Sequence, residues 1–233
     1  MKKNNVAQAF LPAKSDKNVR PTFKIHLKWK AKVMPIVFSY DGISRTQRHL
    51  PHWTKKGVTY WITFRLRDSL PQEKLNRWRT ERDLWLEANP EPWTDIQWNE
   101  YNQRFGLRLN EWLDAGAGSC ILARSDVRGK VCECLTVFNN DRYRIIASVI
   151  MPNHVHMLLE TTDAHLLSNI LKGMKGASAR KVNQLLNESG SFWADESFDH
   201  IVRSETQLHF LIEYVKNNPI KAGLKPDQYW LQL

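Results

Sequence analysis

Short runs of apolar and β-branched residues predict four strands along the chain. Residues 57–66 are aromatic and β-branched, as expected of a strand. Residues 144–151 are apolar and β-branched almost throughout, which is typical of a strand buried on both faces. The Pro-Asn pair at 152–153 is a turn signal, and a third strand over residues 154–160 follows it. Residues 198–203 have the composition of a short fourth strand. The pattern thus predicts two central strands joined by a tight turn.

Longer segments with apolar side chains three and four positions apart predict helices. These helices span residues 72–87, 94–113, 125–138, 166–186 and 204–217. Ser204 is a plausible N-cap, and the last helix is expected to close at Asn218-Pro219, because a residue before proline is disfavoured in helical geometry. The order of elements is the β-α-β-β-α-β ferredoxin-like pattern with one more helix at the end. We predict an α+β fold: an antiparallel sheet with helices on one face, a helical insertion and a C-terminal tyrosine-bearing helix.

A chain of 233 residues is expected to form one domain with extensions, or at most two small domains. Residues 1–50 are expected to be a basic, partly disordered arm, since Lys and Arg far outnumber acids there. The domain itself is expected over residues 51–224, with a helical insertion at about 90–118, and residues 225–233 are expected to be a C-terminal tail. The insertion is rich in tryptophan, which favours a packing role over base stacking.

Basic residues dominate the charge of the chain. There are 34 Lys and Arg against 24 Asp and Glu, giving a net charge of +10 and a pI near 9.6. This balance favours a polyanionic partner, nucleic acid before an acidic membrane, although an ordinary basic enzyme is the alternative. Three clustered cysteines are too few for a disulfide framework, and no apolar run could cross a bilayer or serve as a signal peptide. A soluble, cytoplasmic protein is expected.

The strand at 154–160 opens with two histidines separated by one valine. Side chains alternate along a strand, so His154 and His156 are expected on one face of the sheet and Val155 on the other. Two imidazoles so placed can bind one divalent metal ion. The alternative is a pair of polar residues at the open end of a strand.

Tyr214 and Asn218 lie four residues apart on the last predicted helix and therefore share one helix face. Tyr214 is at the border of the apolar stripe, where a packing role is also common. Asn218, taken alone, is a helix terminator before proline. Opposite a histidine pair, the two residues become candidates for a catalytic site.

The helix over residues 166–186 carries no acid but several cations, namely Lys172, Lys175, Arg180 and Lys181. Such a face suits a phosphate backbone, and Arg203 at the end of the fourth strand is a further candidate. A solvated helix face is the alternative, although such a face usually mixes charges of both signs.

Several blocks of the sequence, taken in order, resemble the REP-associated tyrosine transposases, which belong to the HUH single-tyrosine transposase superfamily. The resemblance covers residues 50–224. It rests on LPHWTKKGVTYWITFRLRDSLP, MPNHVHMLLE, LKGMKGASARKVNQLL, FWADESFDHIVR and YVKNNPIKAGL. It implies a Mg²⁺ or Mn²⁺ ion held by His154 and His156 and assisted by Asn218, where the insertion-sequence relatives have glutamine. It also implies that Tyr214 is the nucleophile.

The resemblance implies cleavage and rejoining of single-stranded DNA beside hairpins through a covalent 5′-phosphotyrosine. Such an enzyme would be nucleoid-associated and would work as a monomer, although the insertion-sequence relatives form dimers. Two alternatives remain open. One is a metal-dependent nuclease that uses water as the nucleophile, and the other is a domesticated hairpin-binding protein without catalysis.

Overall fold

The computed structural model describes residues 42–47, 51–90 and 93–233, which all belong to one unit, Pro35–Leu233. Most of the expected basic arm, residues 1–41 and 48–50, lies outside the described residues. Within them, a two-stranded hairpin precedes the main sheet, and its strands β1 (Ser44–Gln47) and β2 (Pro51–Thr54) lie on either side of the boundary expected at residue 50. In the described part of the chain, no helix is both long and apolar enough to span a membrane.

A five-stranded antiparallel sheet forms the centre of the unit. Its strands are β3 (Thr59–Leu66), β4 (Tyr143–Ile150), β5 (His154–Thr161), β6 (Trp193–Ile201) and β7 (Trp230–Gln232), in the spatial order β6-β3-β5-β4-β7. The first four strands have the order expected of a ferredoxin-like sheet, with the first and third in the middle. The predicted α+β class is confirmed.

Two helices cover one face of the sheet, and both connect strands of the ferredoxin-like pattern. They are α4 (Ser125–Thr136) and α5 (Leu167–Leu186), and they pack against each other as well as against the sheet. Their apolar side chains share one cluster with Ile62 on β3 and with Val155 and Met157 on β5. Residues at alternate positions of each strand therefore face these helices.

The remaining helices cover the opposite face. They are α1 (Gln72–Ala88), α2 (Asp95–Tyr101), α3 (Arg108–Asp114) and α6 (Glu205–Lys221), with a π-helical turn (Asn102–Leu107) joining α2 to α3. Their core includes Trp61 on β3, Val149 on β4 and Leu158 on β5. The Trp-rich helices therefore pack on the sheet face to which His154 and His156 also point.

The C-terminal part of the structure differs from the sequence-based expectation in two places. Helix α6 begins after Ser204, whose hydroxyl caps the Gln207 N–H as expected, but it continues through Pro219 to Lys221. Proline removes only one hydrogen bond here, and burial of Asn218 and Pro219 holds the final turn in place. Beyond it, β7 pairs with β4, so part of the segment expected to be a tail completes the sheet.

Candidate metal and nucleophile site

His154 and His156 form the centre of the site on β5. Both side chains are fully buried, and their Nε2 atoms face one another at 3.0 Å. Burial lowers the pKa of both imidazoles, and the charge that His154 would carry lowers the pKa of His156 further. Both rings are therefore neutral near pH 7, which is the form that binds a metal ion.

Neighbouring side chains fix the orientation of each imidazole through its Nδ1 atom. Asn153 Nδ2 donates to the backbone oxygens of Leu113 (3.1 Å) and Ala117 (3.0 Å), so its Oδ1 is the atom that accepts from His154 Nδ1 at 2.7 Å. The proton of His154 thus resides on Nδ1, and its Nε2 lone pair points toward His156. The Thr63 hydroxyl lies 2.8 Å from His156 Nδ1 and can either donate or accept.

Asp114, at the end of α3, is a third potential ligand that the sequence analysis did not identify. Its Oδ1 lies 3.6 Å from His154 Nε2, and donor atoms of Asp114, His154 and His156 all lie within 4.8 Å of one another. Burial raises the pKa of this carboxyl to about 6, against the lowering effects of Asn218 and Lys221. Among the described residues, Asp114 Oδ1 is buried without a hydrogen-bond partner.

Helix α6 brings Tyr214 and Asn218 to the same site. The Tyr214 ring stands edge-on to His156, with ring centres 5.4 Å apart, and edge-on to Trp61 at 5.5 Å. Trp61 in turn stacks on His156 at 5.0 Å. Asn218 is buried, and neither its Oδ1 nor its Nδ2 has a hydrogen-bond partner of standard geometry in the described chain.

Electrostatics around Tyr214 favour the neutral phenol. Burial raises its pKa above the ordinary value, and the nearby Asp114 carboxylate raises it further, while Asn218 lowers it. Lys221, one turn beyond Asn218, has its Nζ 5.8 Å from the centre of the Tyr214 ring. A cation that binds beside the Asp114 carboxylate would offset the negative charge that opposes ionisation of Tyr214.

The four predicted DNA-binding cations of α5 do not lie with this site. Helix α5 is on the other face of the sheet, where Lys172 and Arg180 are exposed and Lys181 pairs with Glu133 at 3.1 Å. Lys175 points inward, donating to the backbone oxygens of Ala194 and Asp195 and to Ser197 Oγ, and burial lowers its pKa to about 8. Arg203 is half-buried just before α6, and its backbone N–H donates to Gln207.

The segment with both histidines, Tyr214 and Asn218 matches a known family. The model of the IS200-like transposase family matches residues 123–218. The match spans 96 of the 233 residues, so this part of the chain is similar to the IS200-like transposases. The likeness supports a DNA-processing role of the transposase kind. Asp114 lies before the first residue of the match, on a helix that the family comparison does not include.

Comparisons with other proteins add two similar structures. One is a REP-associated tyrosine transposase bound to a REP hairpin, with 15% identity, a TM-score of 0.39 and coverage of 78% of this chain and 76% of the other. The second is a candidate transposase of Deinococcus radiodurans R1, with 17% identity, a TM-score of 0.32 and coverage of 69% and 90%. No curated protein matches the chain significantly.

Three residues of this candidate site could not be recognised from their positions in the sequence. Asp114 lies in a different helix from the tyrosine, and a single acid near the end of a helix is common. Thr63 is an ordinary strand residue until β3 pairs with β5 and places it opposite His156. Asn153 was recognised only as a turn residue, although its side chain also binds α3 and His154.

Proposed function

We propose that the protein cleaves and rejoins single-stranded DNA beside hairpins, with Tyr214 as nucleophile and a divalent ion at His154 and His156. The observation that carries this proposal is the position of Tyr214. The centre of its ring lies 5.4 Å from the ring centre of His156, which is one of the three potential metal ligands. The preference for REP-like hairpins, and action as a monomer, rest on the resemblance of the sequence blocks.

The donor set fits a divalent ion. Two neutral imidazoles and one carboxylate converge. Among the described residues, Asp114 Oδ1 and the side-chain atoms of Asn218 have no hydrogen bond of standard geometry, which buried polar groups normally have. Mixed nitrogen and oxygen ligands suit Mn²⁺ better than Mg²⁺, which prefers oxygen and water. Within this proposal His154, His156 and Asp114 hold the ion, and Asn218 is a further ligand. When bound, the ion polarises the scissile phosphate and offsets negative charge on its oxygens.

The protein residues carry out the remaining steps. The Tyr214 oxygen attacks phosphorus, the bond from phosphorus to the 3′-oxygen breaks, and DNA stays attached through a 5′-phosphotyrosine. The phenol proton passes to solvent water during attack, and the departing 3′-oxygen takes a proton from solvent water. Rejoining is the reverse reaction, with a 3′-hydroxyl attacking the phosphotyrosine. Lys221 is placed beside the Tyr214 ring to attract the phosphate before attack.

The proposal is tested by trapping the covalent intermediate. Wild-type protein is incubated with Mn²⁺ and a hairpin oligonucleotide that carries a label on the 3′ side of the cleavage site. The label should remain with the protein through denaturing electrophoresis and should map to a peptide containing Tyr214. Tyr214→Phe should bind the hairpin with nearly equal affinity, because only a hydroxyl is removed, and should form no adduct.

A matched control separates the nucleophile from other tyrosines. Tyr229→Phe removes a hydroxyl from a half-buried tyrosine just before β7 and should form the adduct normally. Cleavage by Tyr214→Phe would instead indicate a nuclease that uses water. Hairpin binding without cleavage by the wild-type protein would indicate a binding protein without catalysis.

A further inference from the structure

A cavity of about 350 Å³ lies on the same sheet face as the histidines. Its walls come from β3, from α1, from the end of α3 and from the first part of β6. Thr63 and Leu113 line it, and both also belong to the candidate site: Thr63 contacts His156, and the Leu113 backbone oxygen accepts from Asn153. The cavity is therefore adjacent to the cluster that contains Tyr214.

Three arginines give the cavity a positive lining. Arg65 is on β3 directly opposite His154, Arg67 follows it, and Arg79 comes from α1. Arg65 is held by the Leu66 backbone oxygen and the Ser69 hydroxyl. Within the described part of the chain, Arg67 and Arg79 have no ion pair and their guanidinium groups have no hydrogen-bond partner. Burial lowers the pKa of Arg65 and the neighbouring charge of Arg79 lowers it further, while the carboxylates of Glu196 and Asp68 raise it.

The cavity is also lined by a group of apolar side chains and by two carboxylates. Leu75, Leu109 and Phe198 provide an apolar wall. Asp195 and Glu196 are the carboxylates of the cavity, and carboxylates accept hydrogen bonds from the amino groups of bases. The volume is near the lower end of ligand cavities, roughly 300–1,000 Å³, so one nucleotide fits and a duplex does not.

We propose that this cavity binds one nucleotide of the single strand next to the scissile linkage, with its phosphate at Arg79 and Arg67 and its base against the apolar wall. This inference rests on the proposed function, since it places the strand that Tyr214 attacks. The common wall at Thr63 and Leu113 keeps the bound nucleotide next to the linkage held at the histidines. The cavity would thus position the strand and contribute to the choice of cleavage position.

The test measures binding alone, in EDTA, so that it does not depend on cleavage. The probe is a fluorescein-labelled hairpin oligonucleotide with unpaired flanks, in which one phosphate at a time is replaced by a neutral methylphosphonate. With wild-type protein, one linkage in a flank should weaken binding by roughly tenfold, the size expected for a charge-assisted hydrogen bond. Arg79→Gln should weaken binding to the unmodified probe similarly and should abolish the effect of that one methylphosphonate.

Arg77→Gln is the matched control, because Arg77 lies on the same helix, is exposed and does not line the cavity. It should leave the methylphosphonate profile unchanged. The proposal is overturned if Arg79→Gln keeps the wild-type profile or if Arg77→Gln changes it in the same way. A lack of phosphotyrosine adduct would contradict the proposed catalysis but would leave this binding result intact, so the two failures are distinguishable.

Discussion

At the residue scale, the site combines two neutral imidazoles with buried polar atoms of Asp114 and Asn218 that have no hydrogen bond of standard geometry within the described chain. In the metal-free protein, the 3.0 Å approach of the two Nε2 atoms is favourable when His156 Nε2–H donates to the lone pair of His154. The Thr63 hydroxyl then donates to His156 Nδ1. Binding of an ion requires the proton of His156 to move to Nδ1, where the hydroxyl accepts it after a simple rotation. Outer partners of this kind typically change metal affinity by ~10–100-fold.

Asp114 provides the sharpest residue-scale prediction. We expect Asp114→Asn to lower the affinity for Mn²⁺ by about tenfold or more, because losing a charged ligand should cost at least as much as losing an outer partner. Isothermal titration calorimetry of the purified protein measures the change directly. Glu111→Gln is the control, since Glu111 is exposed one turn earlier on α3 and carries the same charge. Equal Mn²⁺ affinity in the two variants would show that Asp114 is not a ligand.

At the element scale, an aromatic cluster packs beside the candidate site. It is formed by α1 and by the continuous helical segment of α2, the π-helical turn and α3, and α3 carries Asp114. Phe105 is fully buried at the π-helical turn, where its ring lies 6.1 Å from Trp78, 6.1 Å from Trp85 and 5.2 Å from Tyr101. Trp78 Nε1 also donates to the Phe105 backbone oxygen at 3.2 Å. These tryptophans are used for packing, as the sequence indicated.

Phe105→Ala should therefore lower the free energy of unfolding by about 3–5 kcal/mol, the usual cost of removing a buried aromatic ring. Because α3 carries Asp114, we also expect weaker Mn²⁺ binding in this variant. Chemical denaturation with far-UV circular dichroism measures the stability. Phe210→Ala removes the same atoms from an exposed position on α6 and should stay within about 0.5 kcal/mol of the wild-type value. Similar destabilisation of both variants would show that packing of Phe105 in the aromatic cluster does not stabilise the fold.

The elements themselves were largely predictable, whereas their terminations and partners were not. Apolar periodicity located α1, α4 and α5 to within two residues at each end, because each buries one continuous stripe. The end of α6 was wrong, since tertiary burial of Pro219 outweighs the local preference of the residue before it. Strand β7 has only three residues and no alternation signal of its own, so only its pairing with β4 defines it.

At the scale of the whole molecule, the two sheet faces have different roles. Tyr214, the candidate metal ligands and the arginine-lined cavity are on the face covered by α1–α3 and α6, whereas the cations of α5 are on the other. Sequence order alone could not separate them, because an acid-free helix directly after β5 is near the histidines in the chain. Strand β6 is an edge strand of the sheet, and Lys175 donates hydrogen bonds to its backbone oxygens.

This arrangement predicts that the α5 cations bind a hairpin stem rather than the strand in the site. A hairpin held on α5 would have to pass its single strand around β6 to reach Tyr214. Lys172→Glu combined with Arg180→Glu should then flatten the salt dependence of hairpin binding, by ~0.9 log units per log unit of salt for each stem phosphate that the variant no longer neutralises. The same variant should bind a short single strand without a stem with unchanged salt dependence.

Fluorescence anisotropy over a series of salt concentrations measures both slopes. Lys74→Glu with Lys225→Glu is the control, because it changes the net charge equally at exposed positions outside α5, and Lys74 lies on α1 on the opposite face of the sheet. It should shift both slopes alike, through the overall field of the protein. If the α5 variant also shifts both slopes alike, its cations act only through net charge, and the stem binds elsewhere. A flattened slope confined to the hairpin would instead assign the stem to α5 and the cleaved strand to the opposite face.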